Sequence, residues 1–270
     1  MSSSSAARTN LTSNDVVISN QKLGEGAFRI AMQGTYRGGN RNNQEAACKR
    51  FKPQWRSMAN EYFQSDFKIA DKAIEMAEEW NDMVEEDEKI LITKGNIHTS
   101  NSGIQYLVEP LIRSYHKFTS NSGWIDTDGG WPSEAMEAFT HFTYHKSGGL
   151  LIVCDLQGRH RHDSYSKKKS RFELTDPAIC SRTRNYGPTD LSEKGIDSFF
   201  ANHQCNGFCN INQRWSRPRN PSQWFPSCSA TSMFSSKDAN KLKVHNRTQF
   251  TLGGMGAIVE EDDCYSSDDY

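Results

Sequence analysis

The run His203-Gln204-Cys205-Asn206-Gly207-Phe208-Cys209 constrains this chain more than any other stretch, because it sets one imidazole and two thiols within a single short turn. Zinc takes four nitrogen or sulfur ligands in a tetrahedron, and ligands this close in sequence converge without a long loop to close. A fourth ligand has to come from elsewhere. The segment Phe139-Thr-His-Phe-Thr-Tyr-His145 offers His141 first and His145 second. Four protein ligands would close the site and make the metal structural, since a catalytic zinc keeps one position open for water. The same residues also read as two buried free thiols and a histidine at a helix end, and spacing alone leaves both readings standing.

A chain of 270 residues with 35% hydrophobic content can bury a large core, so one globular domain, bilobed or not, is expected between flexible ends. The seven cysteines are scattered and odd in number, which does not fit a small secreted disulfide framework and points to a reducing compartment. No apolar run is long enough to cross a bilayer, and Met1-Ser-Ser-Ser-Ser-Ala-Ala-Arg8 lacks the apolar stretch of a signal peptide. The expectation is a cytoplasmic protein with no membrane partner. Lys plus Arg (32) nearly balances Asp plus Glu (33), which leaves no overall field to attract a polyanion.

Residues 1 to about 14 are rich in Ser, Asn and Thr and read as a disordered arm, having almost nothing apolar to offset the entropy of ordering. The tail 214–270, with its prolines, serines and acidic run Glu260-Glu261-Asp262-Asp263, is expected to be mostly extended or disordered. Between them, Val16–Ile18, Arg29–Tyr36 and Glu45–Phe51 read as strands of an antiparallel sheet. Apolar residues at Ala70, Ile74, Ala77, Trp80 and Val84 then recur at helical spacing from Phe67 on. Lys89–Ile92 and Ile104–Ile112 are expected to complete the sheet, with a hinge at Glu109-Pro110 where Pro110 cannot donate to a ladder. Ser133–His145 and Asp190–His203 read as helices and Leu150–Leu156 as a buried strand; Asp190 and Glu193 have capping-box spacing. The fold class is therefore α+β.

Three further constellations could carry chemistry. Leu23-Gly24-Glu25-Gly26-Ala27-Phe28-Arg29 precedes Ala46-Ala47-Cys48-Lys49, and glycines let a hairpin bring its amides to phosphate oxygens that a neighbouring lysine neutralises. The plain alternative is an ordinary turn and an edge lysine. Asp155-Leu156-Gln157-Gly158 ends the buried strand and Thr175-Asp176-Pro177 follows a loop, which supplies carboxylates able to orient a hydroxyl and hold Mg²⁺; both are also common turn formers. The basic stretch Arg159-His160-Arg161-His162 with Lys167-Lys168-Lys169-Ser170-Arg171 could bind nucleic acid, but it has only Tyr165 as a stacking aromatic and lies on no recognition helix. A solvated loop is the reading taken, with no nucleic-acid partner.

In order, Gly24 to Arg29, Lys49, Ser120-Asn-Ser-Gly123, Ala138-Phe-Thr-His-Phe-Thr-Tyr144, Asp155-Leu-Gln-Gly158, Leu174-Thr-Asp-Pro177, Gly187-Pro-Thr-Asp-Leu191 and His203-x-Cys-x-x-x-Cys209 resemble the alpha-kinase family of atypical protein kinases. The resemblance implies a bilobed, protein-kinase-like fold: a mainly β N-lobe with one long helix (about 15–109), a zinc-containing C-lobe (about 110–213), and ATP held between them. It implies an ATP-dependent serine/threonine kinase acting on a protein substrate with Mg²⁺. Lys49 would contact the ATP phosphates with Asp66 as its acidic partner, and Glu109 would lie at the hinge near adenine. Gly24, Gly26, Ala27 and Arg29 would border the nucleotide, Asp155 would position or deprotonate the acceptor hydroxyl, and Gln157 and Asp176 would hold Mg²⁺. The zinc ligands would be His141, His203, Cys205 and Cys209, leaving His145 a bystander.

The chain also departs from the family pattern. The segment between Asp155 and Asp176 is longer than usual, Ala178 stands where Gln is common and Cys180 where His is usual. Asp190 occupies a position often held by Asn, and Ser192 replaces a Gly. An aspartate there is expected to add negative charge close to peptide or phosphate. The runner-up reading is a weak pseudokinase or zinc-stabilised scaffold. Nothing in the sequence sets an oligomeric state.

Overall fold

Alternation of small, branched and aromatic residues along Arg29–Tyr36 and Glu45–Phe51 suits a pleated surface with one buried face, and both segments are strands from end to end. The computed structural model describes residues 9–11, 15–25, 29–85, 88–161, 171–210, 214–235 and 238–245. In chain order these form β1 (Thr9–Leu11), β2 (Val16–Glu25), β3 (Arg29–Tyr36), β4 (Glu45–Phe51), α1 (Ala59–Asn81), β5 (Ile90–Ile92), β6 (Asn96–Thr99) and β7 (Gln105–Pro110). There follow β8 (His116–Lys117), α2 (Gly130–Lys146), β9 (Leu151–Cys154), β10 (Gln157–Arg161), β11 (Arg171–Leu174), β12 (Ala178–Ser181), α3 (Ser192–Asn202), β13 (Thr231–Ser235) and β14 (Asp238–His245). They fall into two compact units, the first holding the described residues up to Phe67 and Thr93–Ile112, the second Lys68–Ile92 and the described residues from Arg113 on.

The first unit is a sheet in the order β1-β6-β7-β4-β3-β2. β3 and β4 pair antiparallel from Arg29↔Phe51 to Thr35↔Glu45. Val16, Tyr36, Ala46, Cys48 and Val108 bury one face together. Phe51 meets Tyr62 and Phe63 of α1 at ring separations of 5.5 and 5.2 Å. β1 is parallel to β6, so Thr9–Leu11, expected in a disordered arm, are instead paired backbone.

The second unit is centred on Trp80, whose ring lies 5.6 Å from both Phe139 and Phe142, with its indole N–H donated to the Glu88 carbonyl at 3.0 Å. α1 starts eight residues before Phe67, and its buried face here is Ile69, Ala73, Met76, Ala77 and Trp80, displaced by a residue from the expected stripe at its N-terminal end. β5, expected to complete the N-terminal sheet, lies in the second unit and pairs parallel with β11 in the order β5-β11-β10-β8. Its alternating burial at Ile90 and Ile92 fits either sheet, which is why pattern alone misplaced it. α3 begins at Ser192, its N-cap position is Leu191 rather than Asp190, and the Leu191 side chain makes no cap bond, so the expected capping box does not form.

One other expectation is corrected and one is qualified. The stretch read as a basic loop begins as strand: Arg159–Arg161 pair antiparallel with Arg171–Glu173, and Arg159, Arg161 and Arg171 converge on Glu173 at 2.6, 3.5 and 3.6 Å. Lys167–Lys169 lie outside the described residues. The described part of the tail is largely irregular or strand, as expected of an extended segment, but Trp215, Cys228, Ala230 and Ser232 are buried in it, and residues 246–270 lie outside the described residues. No helix among the described residues is long and apolar enough to cross a membrane.

Candidate functional site

α2 carries His141 on its buried face, α3 ends one residue before His203, and a short turn over Gly207–Asn210 brings Cys209 back. The ligand atoms of His141, His203, Cys205 and Cys209 all lie within 4.8 Å of one another. His141 Nδ1 is 2.9 Å from His203 Nε2, Cys205 Sγ 3.7 Å from His141 Nδ1, and Cys209 Sγ 3.6 Å from His203 Nε2. Ordinary zinc bond lengths put tetrahedral ligand atoms about 3.3–3.8 Å apart, so this donor set fits the ion. The outer nitrogens are occupied as in a metal centre: His141 Nε2 meets the Ser216 carbonyl at 3.0 Å and His203 Nδ1 meets Glu137 at 2.6 Å. Burial, with His203 alongside, pushes His141 down to about 4, which keeps the imidazole neutral as a ligand must be. His145 stays outside the cluster and accepts from the Ser216 N–H at 3.2 Å.

Asp155 follows β9 with φ at +57°, a left-handed conformation rare for a side-chain-bearing residue and found at functional sites. Its side chain is 2% exposed. Lys117 of β8 forms an ion pair with Oδ1, and Thr231 donates its hydroxyl to Oδ2 at 2.7 Å. Two residues on, Gln157 accepts from the Tyr115 hydroxyl and donates to the backbone carbonyl of Asp176 at 2.9 Å. Asp176 also has positive φ, +55°. Gly158 permits this approach, since a Cβ there would sit 2.1 Å from the Glu173 carbonyl oxygen. Asp155, Gln157 and Asp176 are thus brought together by β9, β10 and the turn after β11.

In the first unit Lys49 of β4 is 6% exposed and paired with Glu109 of β7 at 2.5 Å. Glu109, expected beside a nucleotide base, turns its carboxylate onto Lys49. Asp66 bonds Arg29 at 2.5 Å; burial raises its carboxyl, while the charges of Arg29 and Lys49 oppose that rise. Gly24 pairs with Ala31 in the β2–β3 ladder, and Gly26 and Ala27 lie outside the described residues.

Asp190 does not offer charge to a ligand. It is fully buried, and its carboxylate accepts from Ser181 N–H and hydroxyl at 2.8 and 2.6 Å, Tyr186 N–H at 3.2 Å and Ser192 N–H at 2.9 Å. Four donors disperse the charge inside the loop, which corrects the expected effect on substrate.

The sequence model of the alpha-kinase family matches residues 24–209. The chain belongs to the alpha-kinase family. Alpha-protein kinase vwkA of Dictyostelium discoideum is 40% identical over 96 residues, which is 35% of this chain and 14% of that protein. Eukaryotic elongation factor 2 kinase of Homo sapiens is 38% identical over 96 residues, 35% of this chain and 11% of that protein. This alpha-kinase chain therefore spans only a small part of the length of these curated relatives. An alpha kinase from Entamoeba histolytica is similar in structure with a TM-score of 0.61 at 21% identity, covering 79% of this chain and 82% of that one. The alpha-kinase domain of myosin-II heavy chain kinase A, solved in complex with AMP-PNP, gives 0.57 at 22%, covering 73% and 85%. These likenesses establish the alpha-kinase fold.

Sequence reasoning missed Lys117, Tyr115, Glu137 and Thr231. Each is a polar residue in a two-residue strand, a loop, a helix flank or the tail, where neither periodicity nor motif spacing marks it. The one available signal was Glu137, which stands four residues before His141 on the same helix.

Proposed function

We propose that this chain is an atypical serine/threonine protein kinase that transfers the γ-phosphate of ATP to a protein hydroxyl with Mg²⁺, and that His141, His203, Cys205 and Cys209 hold a structural zinc. The observation that carries the reading is Asp155: a buried carboxylate in a left-handed conformation, paired with Lys117 and accepting a hydroxyl proton at 2.7 Å. Bound Mg-ATP supplies the electrophilic phosphoryl group and the charge neutralisation that most of this chemistry requires. Asp155 orients the acceptor hydroxyl and takes its proton. Lys117 keeps the Asp155 charge tolerable in a buried setting. Gln157 and Asp176, adjacent through their own hydrogen bond, are the candidate metal holders, and Lys49 the candidate phosphate contact.

The zinc reading is supported by the chemistry of the donor set and by Glu137 and Ser216 behind the imidazoles. Thiol ligands of this kind fit a reducing, cytoplasmic setting. Incubation of the zinc-loaded protein with γ-labelled ATP, Mg²⁺ and a basic protein substrate tests the kinase reading. Label is expected with the wild type and not with Lys49→Ala; its absence from a folded wild type overturns the reading.

A further inference from the structure

Within the second unit, β10 runs from the residues around Asp155 out to the surface. Gln157 at its start is fully buried, whereas Arg159, His160 and Arg161 further along are half-buried. Gln157 stands opposite Lys117, the ion-pair partner of Asp155, and Arg159 stands opposite Glu173. Alternate residues of a strand share a face, so Arg159 and Arg161 lie on the face that carries Gln157 and Lys117. At about 3.3 Å per residue they sit roughly 7 and 13 Å beyond Gln157, which an extended peptide covers in about two to four residues.

This strand borders a groove of about 390 Å³, lined by Ser114, His116 and Phe118 in and around β8 and by Arg159, His160 and Arg161 of β10. Arg159, Arg161 and Arg171 are all drawn to Glu173, at 2.6, 3.5 and 3.6 Å. The carboxylate lies beneath them, with a side chain 12% exposed against 31, 35 and 47% for the three arginines. Three guanidinium groups on one carboxylate leave an excess of positive charge, and the positive ends are what an arriving ligand meets. Asp126, a second carboxylate close by, is engaged by His116 at 2.8 Å and by the Ser133 hydroxyl at 2.5 Å. Arg159 gives Nε and one Nη to Glu173, and a guanidinium offers five N–H donors in a fork that matches carboxylate geometry.

We propose that this groove receives acidic residues of the protein substrate, about two to four positions from the acceptor hydroxyl, and that Arg159 and Arg161 select for them. This rests on the kinase reading of Asp155 given above. A peptide with its hydroxyl at Asp155 that continues along the face of β10 brings its Asp or Glu side chains over the guanidinium groups. The ligand is a protein carboxylate rather than a nucleic-acid phosphate, because the same guanidinium set already holds one carboxylate in Glu173. The effect falls on substrate binding, since Arg159 and Arg161 act at a distance from the transferred phosphoryl group.

The test uses the full zinc-loaded chain, γ-labelled Mg-ATP and peptides with a single threonine, carrying paired Glu, Lys or Ser residues at each of those spacings on either side. On one side of the threonine, the Glu peptide is expected to exceed the Lys peptide about tenfold in kcat/KM, through KM, with the gap closing as salt is raised. Arg161→Ala is expected to narrow the gap and Arg161→Glu to reverse it, while the Ser peptide is used at the wild-type rate by both. Equal kcat/KM for Glu and Lys peptides at every position, or a preference that neither Arg161 variant nor Arg159→Ala alters, overturns the proposal and leaves the kinase reading intact. A single-stranded RNA oligonucleotide that inhibits at lower concentration than a threonine-free acidic peptide assigns the groove to nucleic acid and also overturns it. Absence of label from every peptide with folded wild type overturns the kinase reading itself, and this proposal with it.

Discussion

Glu137 holds Nδ1 of His203 at 2.6 Å, and that bond turns the opposite ring nitrogen into the His/Cys cluster. A carboxylate behind a ligating imidazole fixes its tautomer and raises its basicity, and such partners contribute about 10–100-fold in metal affinity. Glu137→Ala is expected to lower zinc affinity by about that factor with all four ligands intact. Competition against a chromophoric chelator checks it. An unchanged affinity would reduce Glu137 to a helix-face carboxylate.

Trp215 links the cluster to the core. Its ring lies 5.4 Å from His141, 5.6 Å from Phe142 and 6.3 Å from Trp80, and it is buried although it belongs to the segment read as tail. Trp215→Ala is expected to cost about 3–5 kcal/mol of stability, the usual range for deleting a buried indole. Urea unfolding of the zinc-loaded protein measures it. A loss within the range of surface substitutions would mean that the tail packs without stabilising the second unit.

Cysteine reactivity separates the core from the His/Cys cluster. Burial pushes Cys48 up to about 12 and Cys154 well above its ordinary value, while Cys205 is exposed. Mildly alkaline alkylation is expected to spare Cys48 and Cys154 in the folded protein. Chelation of the metal should add label at the exposed Cys205, and zinc should protect it. Equal labelling of Cys205 with and without zinc would remove it from the ligand set.

Asp190 ties the loop after β12 to the start of α3 through four donors. An amide can accept at one atom only, so Asp190→Asn turns an N–H toward the Tyr186 N–H. A loss of about 1–3 kcal/mol is expected, the cost of stranding a buried polar group. Thermal unfolding checks the direction. A change in peptide KM with no change in stability would restore the view that its charge faces the substrate.

How much of this was legible in the sequence depends on what kind of signal each part leaves. β3 and β4 are short apolar-rich segments bounded by polar and glycine residues, and their ends match the structure. The four cluster residues were named together only through the resemblance to the family, since spacing alone marked the turn 203–209 and left His145 and a metal-free reading open. β5 was assigned to the wrong sheet, since three residues of alternating burial carry no information about which edge they join. Lys117 and Thr231 meet Asp155 from positions 38 residues before and 76 after it, and no local pattern encodes such a meeting. Asp190 was misread because a carboxylate beside a glycine-rich segment resembles an exposed charge until its donors are seen.

In the proposed reaction Asp155 positions and deprotonates the acceptor hydroxyl. Its most direct test is Asp155→Asn, which retains the shape and tolerates the same left-handed backbone while removing the proton acceptor. Measured with γ-labelled ATP on an outside protein substrate, kcat is expected to fall by about 10²–10⁴-fold, with ATP affinity and zinc content unchanged. A variant that transfers phosphate at the wild-type rate would show that Asp155 plays no part in the proton transfer.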